Sequence, residues 1–359
     1  MHRAGRRCTT TGRTLTMLPH ASLDRSSDPW QCTLDDFRSA DVAMQQCLAL
    51  ARVAAQTDLP ILILGESGTG KTLLAHAIHN SSKRSHGPFI AFNAAALSDS
   101  LMDSQLFGHE RGAFTGADRS VKGKFELAHG GTLFIDEIAD MSLSAQAKIL
   151  RAVEYGEFER LGSERLQVAD VRLISATHWP LPRFTATERF RKDLFYRISG
   201  ITITLPPLRH RPGDLRALIA AEIGAAGRQQ GKTIIGLDRA AAERLFTYAW
   251  PGNLRELKTV IAAAVALTSG DIIPEEAILA AQSTRATMPL ESQGFASSTR
   301  MDDLCAVNDP GAAGHHDLTL KTMERRHIRM VLAQAGGNKR RAARMLGIAR
   351  TTLDRKLAS

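Results

Sequence analysis

Two short runs carry the residue types that phosphate chemistry needs. Gly65, Glu66, Ser67, Gly68, Thr69, Gly70, Lys71 and Thr72 match the spacing GxxxxGK[ST] at every fixed position. Glycines so placed let backbone N–H groups turn inward around phosphate oxygens. The lysine then reaches the β- and γ-phosphates, and the Thr72 hydroxyl can ligate Mg2+. Further along, an apolar run from Gly130 ends on Asp136 and Glu137. Asp136 there suits a magnesium ion, held directly or through water, and Glu137 suits the polarisation of an attacking water. An acidic pair at a strand end also serves as a helix cap. Joined to the Gly-Lys-Thr loop, it points to a nucleoside triphosphatase that uses ATP and Mg2+.

Both runs need a scaffold that brings strand ends together. Short β-rich apolar runs, Leu59 to Leu64, Phe89 to Phe92, Thr132 to Ile135, Val171 to Ser175 and Ile201 to Leu205, alternate with helical patterns. Strands separated by helices imply an α/β fold, a parallel sheet covered by helices on both faces. The carboxyl ends of such strands are where ligands bind. After Pro206 and Pro207 the strand pattern stops, and helical signals fill Asp214 to about Ala281, with a boundary at Trp250-Pro-Gly-Asn253.

The expected organisation is a flexible arm over residues 1–33, an α/β ATPase subdomain over 34–207, a helical lid over 208–281, a linker over 282–316 and a helical module over 317–359. The arm is rich in Arg, Thr and Ser and has no acid before Asp24. Its composition also suits an organelle transit peptide, or a true start at Met17. With 359 residues, two or more folding units are expected. No apolar run is long enough to span a membrane. Cys8, Cys32, Cys47 and Cys305 are scattered, which suggests neither a disulfide framework nor a zinc site. A cytoplasmic protein is expected.

The net charge of +9 is informative by its location. From Leu318 to Ser359 eleven basic residues face only Glu324 and Asp354, so this segment holds the whole excess and the remainder is neutral. A neutral body with a basic tail suits a machine that carries a polyanion-binding module. Within the tail, Ala342, Ala343, Leu346, Ile348, Leu353 and Leu357 supply the apolar positions of two short helices joined at Gly347.

Between the phosphate loop and the acidic pair lies Gly112-Ala113-Phe114-Thr115-Gly116-Ala117. With this run the sequence resembles the AAA+ activators of sigma-54 RNA polymerase, the bacterial enhancer-binding proteins, whose signature is GAFTGA. The resemblance runs from about Leu34 to Ala281 and resumes in the tail, which resembles a Fis-type helix-turn-helix. It implies an AAA+ P-loop core with a helical lid, and a GAFTGA loop that moves with nucleotide state and presses Phe114 and Thr115 on sigma-54. It further implies that Asn93 restrains Glu137 and that Arg191 and Arg197 act as arginine fingers on the neighbouring subunit of a hexameric ring. Thr177 and His178 would form a first nucleotide sensor and Arg255 a second.

In the tail, the resemblance implies a dimeric DNA-binding module on a palindromic enhancer site. Arg350, Thr351, Thr352, Arg355 and Lys356 would face the major groove, and Lys339, Arg340 and Arg341 the phosphates. Several positions depart from the family pattern, among them His178, where many members carry Asn. Thr72 stands where an acid is usual, Glu188 where Gly is usual, and Ser199-Gly200 replaces an Asn and an apolar residue. The arm is too short for a receiver domain, so control by expression or by a trans-acting regulator is expected, in a bacterial, nucleoid-associated setting. A DNA-binding regulator acting by occupancy, and an AAA+ remodeller with another client, are the competing readings. The intact phosphate-loop and finger residues count against the first and the GAFTGA run against the second.

Overall fold

The computed structural model describes residues 16–17, 29–96, 98–286, 339, 343, 352 and 353. The chain divides into two compact units, Met1–Pro289 and Leu290–Ser359. The first is built on five parallel strands, β1 (Ile61–Leu64), β2 (Phe89–Asn93), β3 (Thr132–Asp136), β4 (Arg172–Thr177) and β5 (Ile201–Thr204). Their order in the sheet is β5-β1-β4-β3-β2. Each is one of the five apolar runs of the sequence, shifted by a residue or two at its ends. Ile61–Leu64 and the Leu133-Phe134-Ile135 stretch of β3 are unbroken apolar runs because helices bury both faces of the sheet.

Alternation along each strand sorts its side chains between two cores. Ile61, Ile63, Phe134, Ile174, Ala176 and Ile203 pack with helices α1 (Val42–Ala55) and α2 (Lys71–Asn80). Leu62, Leu133, Ile135 and Leu173 face the other way, toward α3 (Asp99–Phe107), α4 (Leu143–Tyr155) and α5 (Lys192–Ile198). Helix α4 starts where the Ser142 hydroxyl accepts the Ala145 N–H, and stops at Gly156 with φ +73°. The strand register aligns Asn93 with Asp136 and Leu64 with Thr177, so the carboxyl ends of β1 to β4 form one edge.

Two short antiparallel pairs project from this layer. Gly108–His109 pairs with Val121–Lys122, and Glu157–Glu159 pairs with Leu166–Val168. The lid consists of α6 (Pro212–Gln230), α7 (Arg239–Thr247), α8 (Asn253–Leu267) and α9 (Glu275–Ala286) around the fully buried Trp250. Lys232 closes α8 by donating from Nζ to the carbonyls of Val265, Ala266 and Thr268 at 2.7–2.9 Å. Helix α9 continues past Ala281 to Ala286, into the stretch expected to be linker.

Part of the expected arm is also ordered against the core. Trp30 lies 4.5 Å from the His76 ring, and Asn80 Nδ2 donates to the carbonyls of Trp30 and Cys32. Thr16–Met17 pairs antiparallel with Gly236–Leu237. In the second unit Lys339, Ala343, Thr352 and Leu353 are helical, and Ala343 and Leu353 are buried. Burial of those two apolar positions matches the helical pattern read from the tail.

One buried histidine sets an acid limit on the α/β core. His79 Nδ1 sits 2.9 Å from the Thr132 hydroxyl, and burial, with His76 and Arg172 nearby, pushes its pKa down from 6.5 to about 4. An imidazole kept neutral in the fold but free to protonate when unfolded stabilises above pH 6.5 and loses that advantage as pH falls toward 4. The expected loss across this window is about 3 kcal/mol. Denaturant midpoints of the wild type and His79→Gln at pH 7 and pH 4.5 check this; the variant should show the flatter dependence.

Candidate active site

The phosphate loop leaves β1 and enters α2. Gly68 and Gly70 have φ of +78° and +102°, the left-handed backbone that glycine adopts without strain. A Cβ on Gly68 would lie 2.4 Å from the Gly252 carbonyl oxygen, so the close approach of the lid also requires glycine there. Lys71 opens α2 and is buried, with Nζ donating to the carbonyls of Gly65 at 2.9 Å and Glu66 at 3.4 Å. Thr72 follows in the first turn of α2. Thr69 Oγ1 closes the loop by donating to the Glu66 carbonyl at 2.8 Å.

Asp136 ends β3 and Glu137 follows with φ +52°, a left-handed backbone that costs a non-glycine residue roughly 1 kcal/mol. Asp136 Oδ1 accepts the Glu137 N–H at 3.1 Å. Burial and the adjacent Glu137 charge push the Asp136 carboxyl above the usual range, while Lys71 pulls the other way. For Glu137, burial pushes up, but the His178 hydrogen bond and the Lys71 charge outweigh it and hold the carboxyl below the usual range. The Glu137 side chain lies between Lys71 Nζ, 3.6 Å from Oε1, and the end of β4. There Oε2 accepts from His178 N at 3.1 Å and Thr177 Oγ1 at 3.4 Å, and lies 2.7 Å from His178 Nδ1.

This donor set fits a triphosphate with magnesium. The loop supplies a helix start, left-handed glycines and a buried ammonium; β3 supplies the Asp136 carboxylate, which feels the Lys71 charge. No group of three or more His, Cys, Asp or Glu that could cage a metal occurs among the described residues. Mg2+ takes one or two protein oxygens and completes its shell with phosphate and water, a demand that the Asp136 carboxylate and the Thr72 hydroxyl could meet.

Asn93 lies at the same strand edge, paired in register with Asp136, and among the described residues no hydrogen bond joins it to Glu137. Its Oδ1 accepts the Ala95 N–H at 2.9 Å, a local turn that engages the amide oxygen. The lid contributes more to the phosphate loop than the sequence disclosed. Arg209 grips both Glu66 oxygens at 2.6 and 2.8 Å. Asn253 Nδ2 donates to Glu66 Oε2 at 3.2 Å and to the Ser67 carbonyl at 3.0 Å. Arg255 Nη1 donates to Ser67 Oγ at 2.8 Å, and Leu254 N to the Gly68 carbonyl at 2.9 Å. Arg209 and Asn253 went unassigned in the sequence because their partner Glu66 is distant in the chain. The Trp250-Pro-Gly-Asn253 boundary was the available signal for Asn253.

Among the described residues, Arg191 and Arg197 make no hydrogen bond to Lys71, Asp136 or Glu137. Arg191 forms a two-point pair with Asp193, at 3.1 Å to Oδ1 and 2.7 Å to Oδ2. Arg197 Nη2 donates to the carbonyls of Glu154 at 3.2 Å and Val153 at 3.5 Å, at the end of α4. Glu188, at the position the resemblance gives to Gly, keeps the left-handed backbone with φ +56°.

The Gly112 to Ala117 loop hangs from the Gly108–His109 and Val121–Lys122 pair. Gly112 N donates to the Ala117 carbonyl at 2.9 Å, and Ala117 N to the Phe114 carbonyl at 3.0 Å. Phe114 is 41% exposed, with its ring 5.0 Å from His109. Thr115 is exposed, Ala117 is buried, and a Cβ on Gly112 or Gly116 would meet nothing within 4 Å. Arg160 fastens the base, donating to Glu110 at 2.8 Å and to both Glu126 oxygens at 2.8 and 3.0 Å. Gly162 lies against Ala113 in the loop. Of the tail residues, Lys339 and Thr352 are helical, whereas Arg340, Arg341, Arg350, Thr351, Arg355 and Lys356 lie outside the described residues.

Comparison with known proteins matches three segments of the chain. Residues 37–204 match the sigma-54 interaction domain, 209–292 the AAA+ ATPase lid domain, and 319–359 the bacterial regulatory proteins of the Fis family. The transcriptional regulatory protein ZraR of Klebsiella oxytoca is 42% identical over 319 residues, 88% of this chain and 67% of that protein. The DNA-binding transcriptional regulator NtrC of Azospirillum brasilense is 41% identical over 324 residues, with the same coverage of 88% and 67%. Crystal structures of NtrX from Brucella abortus in complex with ADP and with ATP each align with a TM-score of 0.62 at 32% and 31% identity, over 90% of this chain and 68% of theirs. The chain thus has the AAA+ P-loop core, lid and Fis-type helix-turn-helix of an ATPase, and it belongs to the sigma-54-dependent transcriptional activators.

Proposed function

We propose that this ATPase binds enhancer DNA through its tail, assembles into a ring, and remodels the sigma-54 polymerase from closed to open complex. The phosphate loop, Gly65 to Thr72, holds the nucleotide, with Arg255 reaching it from the lid. Thr72 and Asp136 hold Mg2+, which neutralises developing phosphate charge when bound. Glu137 takes the proton of the attacking water, and Thr177 and His178 sense the γ-phosphate. Arg191 and Arg197 serve the neighbouring subunit's site. Lys339, Arg340 and Arg341 bind DNA phosphates, and Arg350, Thr351, Thr352, Arg355 and Lys356 face the groove, with the tail acting as a dimer.

The observation that carries the remodelling step is the exposed Phe114 and Thr115 at a glycine-flanked tip. An exposed aromatic on a loop whose glycines have open space around them suits a contact that moves. The test is capture of purified sigma-54 in ADP with aluminium fluoride, comparing wild type with Thr115→Ala. Capture by wild type, lost in the variant while ATP hydrolysis stays within about twofold, is the expected result. Hydrolysis without capture by the wild type would direct attention to another client. Capture by both would remove Thr115 from its assigned role.

A further inference from the structure

The geometry points to His178 and Trp179 as a paired positioning device, in which the imidazole fixes the Glu137 carboxylate and the indole braces the imidazole and ties it to the finger segment. This rests on the reading of Glu137 as the general base. The resemblance assigns restraint of Glu137 to Asn93, yet Asn93 is turned to Ala95 N, and the donors at Glu137 Oε2 come from Thr177 and His178. Only Oε2 is engaged by the end of β4. Oε1 faces Lys71 Nζ at 3.6 Å, leaving that oxygen as the one able to meet a water.

The imidazole is itself held in place. The His178 and Trp179 ring centroids are 4.4 Å apart, and Trp179 Nε1 donates to Asp140 Oδ1 at 3.1 Å. Trp179 N donates to Thr177 Oγ1 at 3.1 Å, so the indole, the imidazole and the Thr177 hydroxyl share one short turn. On its far side Trp179 lies 5.2 Å from Phe184, whose carbonyl accepts from both Arg189 N at 3.0 Å and Phe190 N at 3.2 Å. Arg191 follows directly. Packed rings and hydrogen bonds therefore run continuously from the base to the segment bearing the proposed fingers, a physical route by which the positions of the two can depend on each other.

The effect is expected in turnover rather than in binding. A catalytic group displaced by about 1 Å loses on the order of 100-fold in rate, so His178→Ala should lower kcat by tenfold or more with KM for ATP within about twofold. His178→Asn keeps a donor for Glu137 and should recover most of that loss. Trp179→Ala should lower kcat similarly, and Trp179→Phe, which keeps the ring stack, should remain near wild type. Since both residues act through Glu137, the double variant His178→Ala/Trp179→Ala should be little worse than either single. In the nucleotide-free protein, amide exchange at Arg189 and Phe190 should accelerate about tenfold in Trp179→Ala and stay near wild type in Trp179→Phe.

Unchanged kcat in His178→Ala, multiplicative losses in the double variant, or His178→Asn no better than His178→Ala would overturn the device. So would unchanged exchange at Arg189 and Phe190 in Trp179→Ala. Should Trp179→Ala not fold, the two His178 variants decide the first link, and Trp179→Leu, which keeps bulk without the ring stack, replaces it in the exchange measurement. Full hydrolysis in Glu137→Gln would instead overturn the base assignment itself, so the two failures are distinguishable.

Discussion

Glu137→Gln is expected to bind ATP with a Kd within about threefold of wild type and to hydrolyse it on the order of 10²–10⁴ times more slowly. The amide fills the carboxylate's place and still accepts from Thr177 and His178 through its oxygen, so the fold of the strand edge should persist. What it lacks is an oxygen able to take a proton. The wild-type carboxyl is held below its usual range because His178 and Lys71 outweigh the burial that pushes it up, so it stands ionised at neutral pH. The strained backbone at Glu137, with φ +52°, is retained at the point where the side chain must turn from β3 toward β4. Binding of a fluorescent ATP analogue and single-turnover hydrolysis check this together. Loss of both activities in parallel would point to a structural role, and full residual hydrolysis would exclude Glu137 as the base.

The scaffold of this site was legible in the sequence because its strands are buried on both faces. Ile61 to Leu64 and Thr132 to Ile135 read as unbroken apolar runs, and the phosphate loop and acidic pair directly follow them. The short pairs Gly108–His109 with Val121–Lys122 and Glu157–Glu159 with Leu166–Val168 were not legible, since each strand has only two or three residues and Phe158 is the one buried side chain among them. Periodicity needs length. The Arg209 to Glu66 grip and the Arg160 to Glu126 fastening were hidden for another reason: they join residues distant in sequence, and nothing local marks an arginine that will find a carboxylate. Asn93 shows the converse limit. Motif matching places it at the right strand end, but its amide oxygen bonds the nearby Ala95 N–H, a local contact that a motif does not specify.

Arg191→Ala is expected to produce the second large loss, on the order of 10³–10⁵ in kcat if the residue stabilises charge on the transferred phosphoryl group. Among the described residues, the Arg191 side chain bonds to Asp193 and the Arg197 side chain to the end of α4, and neither is hydrogen-bonded to Lys71, Asp136 or Glu137. A guanidinium paired to Asp193 on its own segment suits service to a neighbouring copy, and that pair presents it in a fixed fork geometry. That argument makes mixing the decisive measurement. Arg191→Ala and Glu137→Gln subunits, each nearly inactive alone, should regain hydrolysis when combined. In the mixed assembly some sites join an intact Glu137 from one chain with an intact Arg191 from the next. A finger acting within its own chain would give no recovery at any mixing ratio, because every site would then lack one of the two groups. Recovery that scales with the fraction of mixed neighbours would establish the trans action of Arg191 and the subunit contact it requires.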